Sequence, residues 1–191
     1  MSNIAKNSNT KVSKDNQLII LIMAALLASL SIVFKMTMSR LFPALPPYCR
    51  ISFENMPVVM AGMFFGPIIG AMVGFTADSL GCIASSHSFN PYLSIGFILV
   101  GLMSGLVSKY AFKYKKTAFA VIVTEFVAHL VGSMIIKTFA LHKMLPQYKY
   151  TTMLTWRIPI ILGIIVLESA IIIILLKNKA FAGEVERITN S

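Results

Sequence analysis

The chain has 191 residues, of which 57% are hydrophobic and only 13% are charged. Its mean hydropathy of +0.78 excludes an ordinary soluble domain and indicates a membrane protein with several spans and no room for a separate catalytic or nucleotide-binding domain. The formal net charge of +10 comes from basic residues in loops and tails that flank apolar stretches, so it indicates membrane topology and contact with anionic lipid rather than binding of nucleic acid.

The N-terminal part divides into a polar segment and an apolar one. Residues 1–16 have no apolar periodicity, which predicts a disordered cytoplasmic tail. The run from Leu18 to Val33 has no signal-peptidase site after it and is interpreted as a retained first span. Ala24 and Ala28 share one face of this helix, where small residues let another helix approach closely. That face either packs inside the bundle or docks on a partner, and the sequence leaves both open.

The next two segments are a loop and a hairpin. Residues 37–55 contain Pro43, Pro46 and Pro47, which predict an outer loop rather than a span. The apolar stretch after it continues for about 28 residues, so as one straight helix it would be ~42 Å long in a hydrocarbon core of ~30 Å. Gly66-Pro67 interrupts this stretch. We therefore expect two helices, Met56 to Gly66 and Pro67 to Ala84.

The rest of the chain alternates spans with polar connections. We expect a polar loop over 84–92, a span over 93–107, a basic turn over 109–116, a span over 117–140, an outer loop over 141–157 and a last span over 158–176. The lysines of residues 1–16 and those of the basic turn over 109–116 are expected on the same, cytoplasmic side of the membrane. That placement requires an even number of spans between the two segments. The prediction is an all-α membrane protein with one membrane domain over 17–177, six transmembrane helices, a tail over 178–191, and cytoplasmic N and C termini.

Five ionisable residues fall inside the predicted spans, where a charge at mid-depth costs at least ~2.5 kcal/mol. They are Asp78, Glu125, His129, Lys137 and Glu168. Each requires a partner, a proton or water. A structural hydrogen bond between spans and a functional role are both open for the acids, whereas Lys137 lies toward the outer loops and suggests a role in binding.

The three outer loops are expected to bring aromatic and cationic side chains to one mouth. Aromatic rings stack on planar molecules, and guanidinium groups form paired hydrogen bonds with carboxylates. A flat heteroaromatic compound with carboxylates would suit such a mouth, although a belt of interfacial aromatics and lysines is the plainer interpretation. The candidate binding residues are Arg50, Phe89, Asn90, Tyr92, His129, Lys137, Trp156 and Arg157.

The sequence carries no motif for hydrolysing ATP, for metal-dependent hydrolysis or for a serine nucleophile. We therefore expect no catalytic residue, metal or cofactor, and energy for uphill transport would have to come from a partner. A membrane-embedded enzyme built on Asp78, Glu125 and His129 remains the alternative from another class.

The residues from Arg50 to Gly81 also carry a resemblance. Arg50-Ile-Ser-Phe, Met56-Pro57, Phe65-Gly66-Pro67 and Ala77-Asp78, with the glycines between them, resemble the signature of the folate-family S components of energy-coupling factor (ECF) vitamin transporters. The likeness extends over the whole chain and includes the pair Ala24 and Ala28.

The resemblance implies a substrate-binding subunit in a bacterial plasma membrane. Such a subunit captures folate from outside and docks, through the face of Ala24 and Ala28, on a transmembrane coupling protein driven by two ATPases. Asn90 and His129 would bond the pterin ring, and Arg50, Lys137 or Arg157 would meet the carboxylates. An S component for another vitamin or precursor, such as pantothenate or a hydroxymethylpyrimidine, is the nearest alternative.

Overall fold

The computed structural model describes residues 2–41, 51–85, 89–114, 117–179, 182–183 and 185, with side chains from residue 17 onward. The described chain contains five helices long and apolar enough to cross a membrane and one shorter apolar helix. We label them α1 (Ser2–Leu41), α2 (Asn55–Phe65), α3 (Pro67–Ala84), α4 (Pro91–Ala111), α5 (Ala118–Met144) and α6 (Tyr150–Lys177). The protein is therefore an all-helical membrane protein, as predicted.

Helix α1 is longer than the sequence suggested. Its apolar part is Gln17–Leu41, but the helix begins at Ser2, where a disordered tail was expected. Residues 2–16 contain neither proline nor glycine, so nothing in that segment interrupts the backbone hydrogen bonds that α1 propagates toward the N-terminus.

The hairpin of α2 and α3 is confirmed. Gly66 separates the two helices with φ 96° and ψ 173°, and Pro67 opens α3. Proline suits the first turn of a helix because its missing N–H would have no partner there. At 11 residues, α2 is only ~16 Å long and cannot cross the ~30 Å core alone.

Two predicted boundaries are wrong on the C-terminal side. Helix α5 continues to Met144 rather than ending near residue 140, and α6 begins at Tyr150 rather than at 158. Trp156 and Arg157 consequently lie within a helix and not in an outer loop. Pro159 lies inside this helix, and α6 runs through it.

Close helix contacts centre on α2, which is buried along nearly its whole length between α1, α3 and α4. Glycines permit this approach. A Cβ atom on Gly62 would collide with Ser104 and the backbone of Gly101, and one on Gly101 would collide with the backbone of Gly70. Helices associate in lipid through this kind of small-residue packing. Ser52 and Asn55, at the start of α2, form one wall of the cavity described next, and α5 and α6 form the other.

Candidate ligand-binding site

A small cavity lies where the start of α2 meets the middle of α5 and the first half of α6. It has a volume of about 20 Å³, which is room for a water molecule but not for a vitamin. One side is polar and the other is formed by isoleucines of α6. The lining residues are Ser52, Asn55, His129, Ser133, Lys137, Arg157, Ile160, Ile161 and Ile164.

Lys137 is the most informative residue of this cavity. Its side chain is 7% exposed, and its Nζ atom donates a 2.8 Å hydrogen bond to Asn55 Oδ1. The same ammonium lies 3.2 Å from the centre of the Phe97 ring. An amide oxygen and an aromatic face thus hold a buried cation, and in the described chain Lys137 forms no ion pair with a carboxylate. A bound anion could therefore take the ion-pairing position beside this ammonium that no carboxylate of the described chain occupies.

Arg157 brings a second cation to the cavity. It is 9% exposed, and its Nη2 atom donates a 3.0 Å hydrogen bond to the backbone oxygen of Ser133. Ser133 belongs to a π-helical segment of α5, His129–Ile136. Such segments interrupt regular helical hydrogen bonding and occur frequently at functional sites. Here the segment carries both His129 and Ser133 into the cavity wall.

Below the cavity, His129 contacts two glutamates that are fully buried. Its Nε2 atom is 2.7 Å from Glu168 Oε2 and 3.4 Å from Glu125 Oε2. Glu125 and His129 are four residues apart on α5, which places them on one face, and Glu168 comes from α6. The pairing of Glu125 with His129 that the spacing predicts is present, and Glu168 is its unpredicted third member.

A separate polar cluster joins α1, α3 and α4. Lys35 Nζ lies 2.6 Å from Asp78 Oδ1 and 3.3 Å from Cys82 Sγ. Ser94 donates a hydrogen bond to the other oxygen of Asp78. The expectation that Asp78 needs a buried partner is met by Lys35, which sequence reasoning treated as a flanking residue.

The structure unites only part of the predicted site. His129, Lys137 and Arg157 line one cavity. Phe89, Tyr92 and Trp156 are 49%, 51% and 59% exposed and do not reach it. Asn90 caps α4 by accepting a 2.9 Å hydrogen bond from the backbone N–H of Tyr92, and Arg50 lies outside the described residues. A binding role for these five stays a prediction.

Three polar cavity residues, Ser52, Asn55 and Ser133, and the partner of Asp78 were not proposed from the sequence. Asn55 and Ser133 are uncharged and common, and Ser52 was noted only as part of the Arg50-Ile-Ser-Phe signature. Lys35 did have a signal, because Ala24, Ala28, Ser31 and Lys35 recur at spacings of four, three and four residues, and all four are buried on one face of α1.

The buried face of α1 also contains Ala24 and Ala28, the pair predicted to dock on a partner. Ala24 and Ala28 are 7% and 6% exposed and belong to the hydrophobic core. Their placement supports the internal-packing interpretation for the chain by itself, and docking through them stays a prediction. The three residues of the alternative enzymatic site lie in two separate clusters. Asp78 pairs with Lys35, whereas Glu125 and His129 contact each other and Glu168.

Comparison with known proteins gives one family and two relatives. The family model described as ECF transporter, substrate-specific component, matches residues 20–178. The folate transporter FolT of Clostridium novyi is 33% identical over 100 residues, which are 52% of this chain and 54% of FolT. An uncharacterized protein of Mycoplasma pneumoniae is 33% identical over 89 residues, which are 47% of this chain and 17% of that protein. The matches thus span about half of the first relative and a smaller part of the second.

Proposed function

Because the chain belongs to the family of ECF transporter substrate-specific components, we propose that it captures folate outside a bacterial plasma membrane and delivers it to an ECF module. The proposed topology has six membrane crossings and cytoplasmic termini. In it, α2 is too short to cross alone and crosses together with the residues that precede it, and α3 forms the returning half of the hairpin. The proposed partners are a transmembrane coupling protein and two ATPases. The family consists of transporter subunits, so an enzymatic role is not proposed.

The proposal of an anionic ligand rests on the environment of Lys137. Lys137 is buried beside the cavity and its ammonium has an amide and a ring as neighbours, with no carboxylate in the described chain. A glutamate carboxylate of folate would supply a direct ion-pair partner for that ammonium, since a carboxylate carries a full negative charge that the Asn55 amide oxygen lacks. Likeness to a folate transporter supports folate among carboxylate-bearing vitamins.

The other proposed contacts with folate depend on how the cavity opens. Since the cavity takes only water, α5 and α6 must separate from α2 to admit a pterin and its glutamate tail. Arg157 and His129 line the space that such a movement enlarges. Phe89, Tyr92 and Trp156 would then stack on the ligand from the outer rim, where Arg50 and Asn90 are the proposed polar contacts.

The test is a calorimetric titration of folate into the untagged protein in detergent. We expect saturable submicromolar binding, and we expect Lys137→Met to weaken it more than tenfold, which corresponds to over ~1.4 kcal/mol. Lys143→Met is the matched control, because Lys143 lies on the same helix but is exposed. Arg157→Ala should weaken binding by a similar factor, with exposed Arg40→Ala as its control.

The same titration separates folate from the neighbouring alternatives. Pantothenate carries one carboxylate and a hydroxymethylpyrimidine carries none, so the Lys137 argument predicts the order folate, pantothenate, hydroxymethylpyrimidine. Submicromolar binding of either alternative with no response to folate would replace the proposed ligand. Equal affinities of wild type and Lys137→Met for folate would remove Lys137 from the site.

Docking on the coupling protein is tested separately through Ala24 and Ala28. If the partner reaches this face when α1 shifts, Ala24→Trp abolishes uptake in cells that carry the ECF module but preserves folate binding by the purified protein. Ala25→Trp, on the exposed side of α1, should preserve both. If Ala24→Trp also lost thermal stability and folate binding, the face would serve internal packing alone.

A further inference from the structure

The buried group of Glu125, His129 and Glu168 has more acceptor atoms than its neighbours satisfy. The two glutamates are 0% exposed and the histidine is 1% exposed. Their facing atoms all lie within 4.8 Å of one another. Within the described chain, His129 is the one cationic or potentially cationic group that pairs with either carboxylate. Among the residues that the structure describes, Glu125 Oε1 and Glu168 Oε1 have no hydrogen-bond partner.

This arrangement poses an electrostatic problem. Two carboxylates in a membrane-buried site would carry two negative charges, and one imidazole neutralises at most one of them. Removing an ion from water costs several kcal/mol unless it is paired. Either protons or a cation must therefore supply the remaining positive charge.

We propose that Glu125, His129 and Glu168 form a binding site for one divalent first-row transition-metal ion such as Zn²⁺. A divalent cation with two carboxylates and a neutral imidazole gives a site with no net charge. Ligands bound at about 2.0 Å in tetrahedral geometry lie about 3.3 Å apart. The two separations from His129 are 2.7 Å and 3.4 Å and all three ligand atoms lie within 4.8 Å of one another, so metal binding requires side-chain movements of at most about 1.5 Å. Glu125, neither of whose carboxylate oxygens has a hydrogen-bond partner in the described chain, would gain a bond to the metal.

The donor set favours this class of metal over the commoner hard cations. Mg²⁺ and Ca²⁺ prefer six or more oxygen ligands, whereas an imidazole nitrogen suits Zn²⁺ and its neighbours. Three protein ligands leave a fourth position for water. Two helices supply the ligands, so a bound ion would fasten α5 to α6 beneath the cavity.

The experiment uses the untagged full chain in detergent, incubated with Zn²⁺ and then dialysed against metal-free buffer before elemental analysis. We expect about one equivalent to be retained by the wild type. Glu125→Gln and Glu168→Gln, which keep side-chain size, should each retain less than about a tenth of that amount. The double variant K35M/D78N is the control, because it removes a buried carboxylate and its lysine partner at a different place in the bundle. It should retain the same amount of zinc as the wild type.

Two outcomes would overturn the proposal. Negligible zinc in the wild type would mean that protons alone neutralise the group, and equal zinc in wild type and the glutamine variants would mean adventitious binding. If the glutamine variants fail to fold, the wild type loaded with Co²⁺ decides the question. Intense visible absorption would support a low-coordinate site with protein ligands, and the weak spectrum of the aqueous ion would refute it. Folate titration of the metal-free protein tests the proposed function independently.

Discussion

Lys35 and Asp78 form an ion pair that is almost inaccessible to solvent, with side chains 5% and 2% exposed. Burying both charges is costly, and the pair is tolerated because each partner has further polar contacts: Lys35 with the Asp78 backbone oxygen and Cys82, and Asp78 with Ser94. Such a pair stabilises little relative to apolar residues, but removing one member leaves an uncompensated charge. The pair therefore fixes how α1 lies against α3.

We predict that Asp78→Asn destabilises the bundle by about 3–5 kcal/mol, because the Lys35 ammonium then loses the carboxylate with which it forms its 2.6 Å ion pair. The measurement is thermal unfolding in detergent. The double variant K35M/D78N should recover most of the loss, since neither charge is then buried alone. Equal melting temperatures for wild type and Asp78→Asn would show that water already reaches Lys35.

At this scale the sequence identified which residues need partners but not which partners they have. Asp78, His129 and Lys137 stand out because an ionisable group in an apolar span is expensive. The contact of Lys35 with Asp78, or of Glu168 with His129, depends on how one helix is placed along and around another. Only spacing within one helix, as for Glu125 and His129, is readable from a single chain.

Among the helices, the α2–α3 hairpin depends on one backbone position. Gly66 has φ 96° and ψ 173°, a region that only glycine occupies readily. Its N–H still bonds the Gly62 oxygen, and its own oxygen accepts from Gly70. The chain thus reverses direction without leaving these backbone groups unpaired in an apolar setting.

We predict that Gly66→Ala destabilises the protein by about 1–3 kcal/mol, because alanine is strained at this φ and ψ. Its Cβ would also lie 3.3 Å from the Tyr114 hydroxyl oxygen. Gly163→Ala is the control: a Cβ there meets nothing within 4 Å, and alanine is favoured over glycine inside a helix by about 0.5–1 kcal/mol. Melting temperatures should move in opposite directions, and a shared direction would contradict the role given to Gly66.

The hairpin was predictable because Gly-Pro is a direct local signal and the apolar stretch was too long for one span. The π-helical segment of α5 was not predictable. The pattern of apolar residues through His129–Ile136 does not distinguish a π-helix from an α-helix, which has one residue fewer per turn. The start of α6 was also wrongly predicted, since residues 150–157 were expected to belong to an outer loop and are helical. Pro159 lies inside the helix, so a residue that commonly ends helices here only interrupts its hydrogen bonding.

Across the whole molecule, the cavity lies between the start of α2, which packs tightly against α3 and α4, and the facing sides of α5 and α6. Helices α2, α3 and α4 meet through glycine contacts that leave no space for another atom. Helix α6 faces the cavity with isoleucines, and Gly163 beside them has no neighbour close enough to restrain it. Opening is therefore expected on the α6 side, where Pro159 has already removed one backbone hydrogen bond.

If α6 must move before folate fits, binding is limited by a rearrangement at high ligand concentration. We predict that the observed association rate levels off as folate is raised, at the rate of opening, on the microsecond-to-millisecond scale typical of helix movements. Stopped-flow fluorescence of Trp156, the single tryptophan and the neighbour of Arg157 on α6, is the measurement. The dissociation rate of bound folate, measured in a chase experiment, is the rate for comparison. A linear rise throughout, at about 10⁵–10⁷ M⁻¹s⁻¹, would instead mean that the site is open before folate arrives.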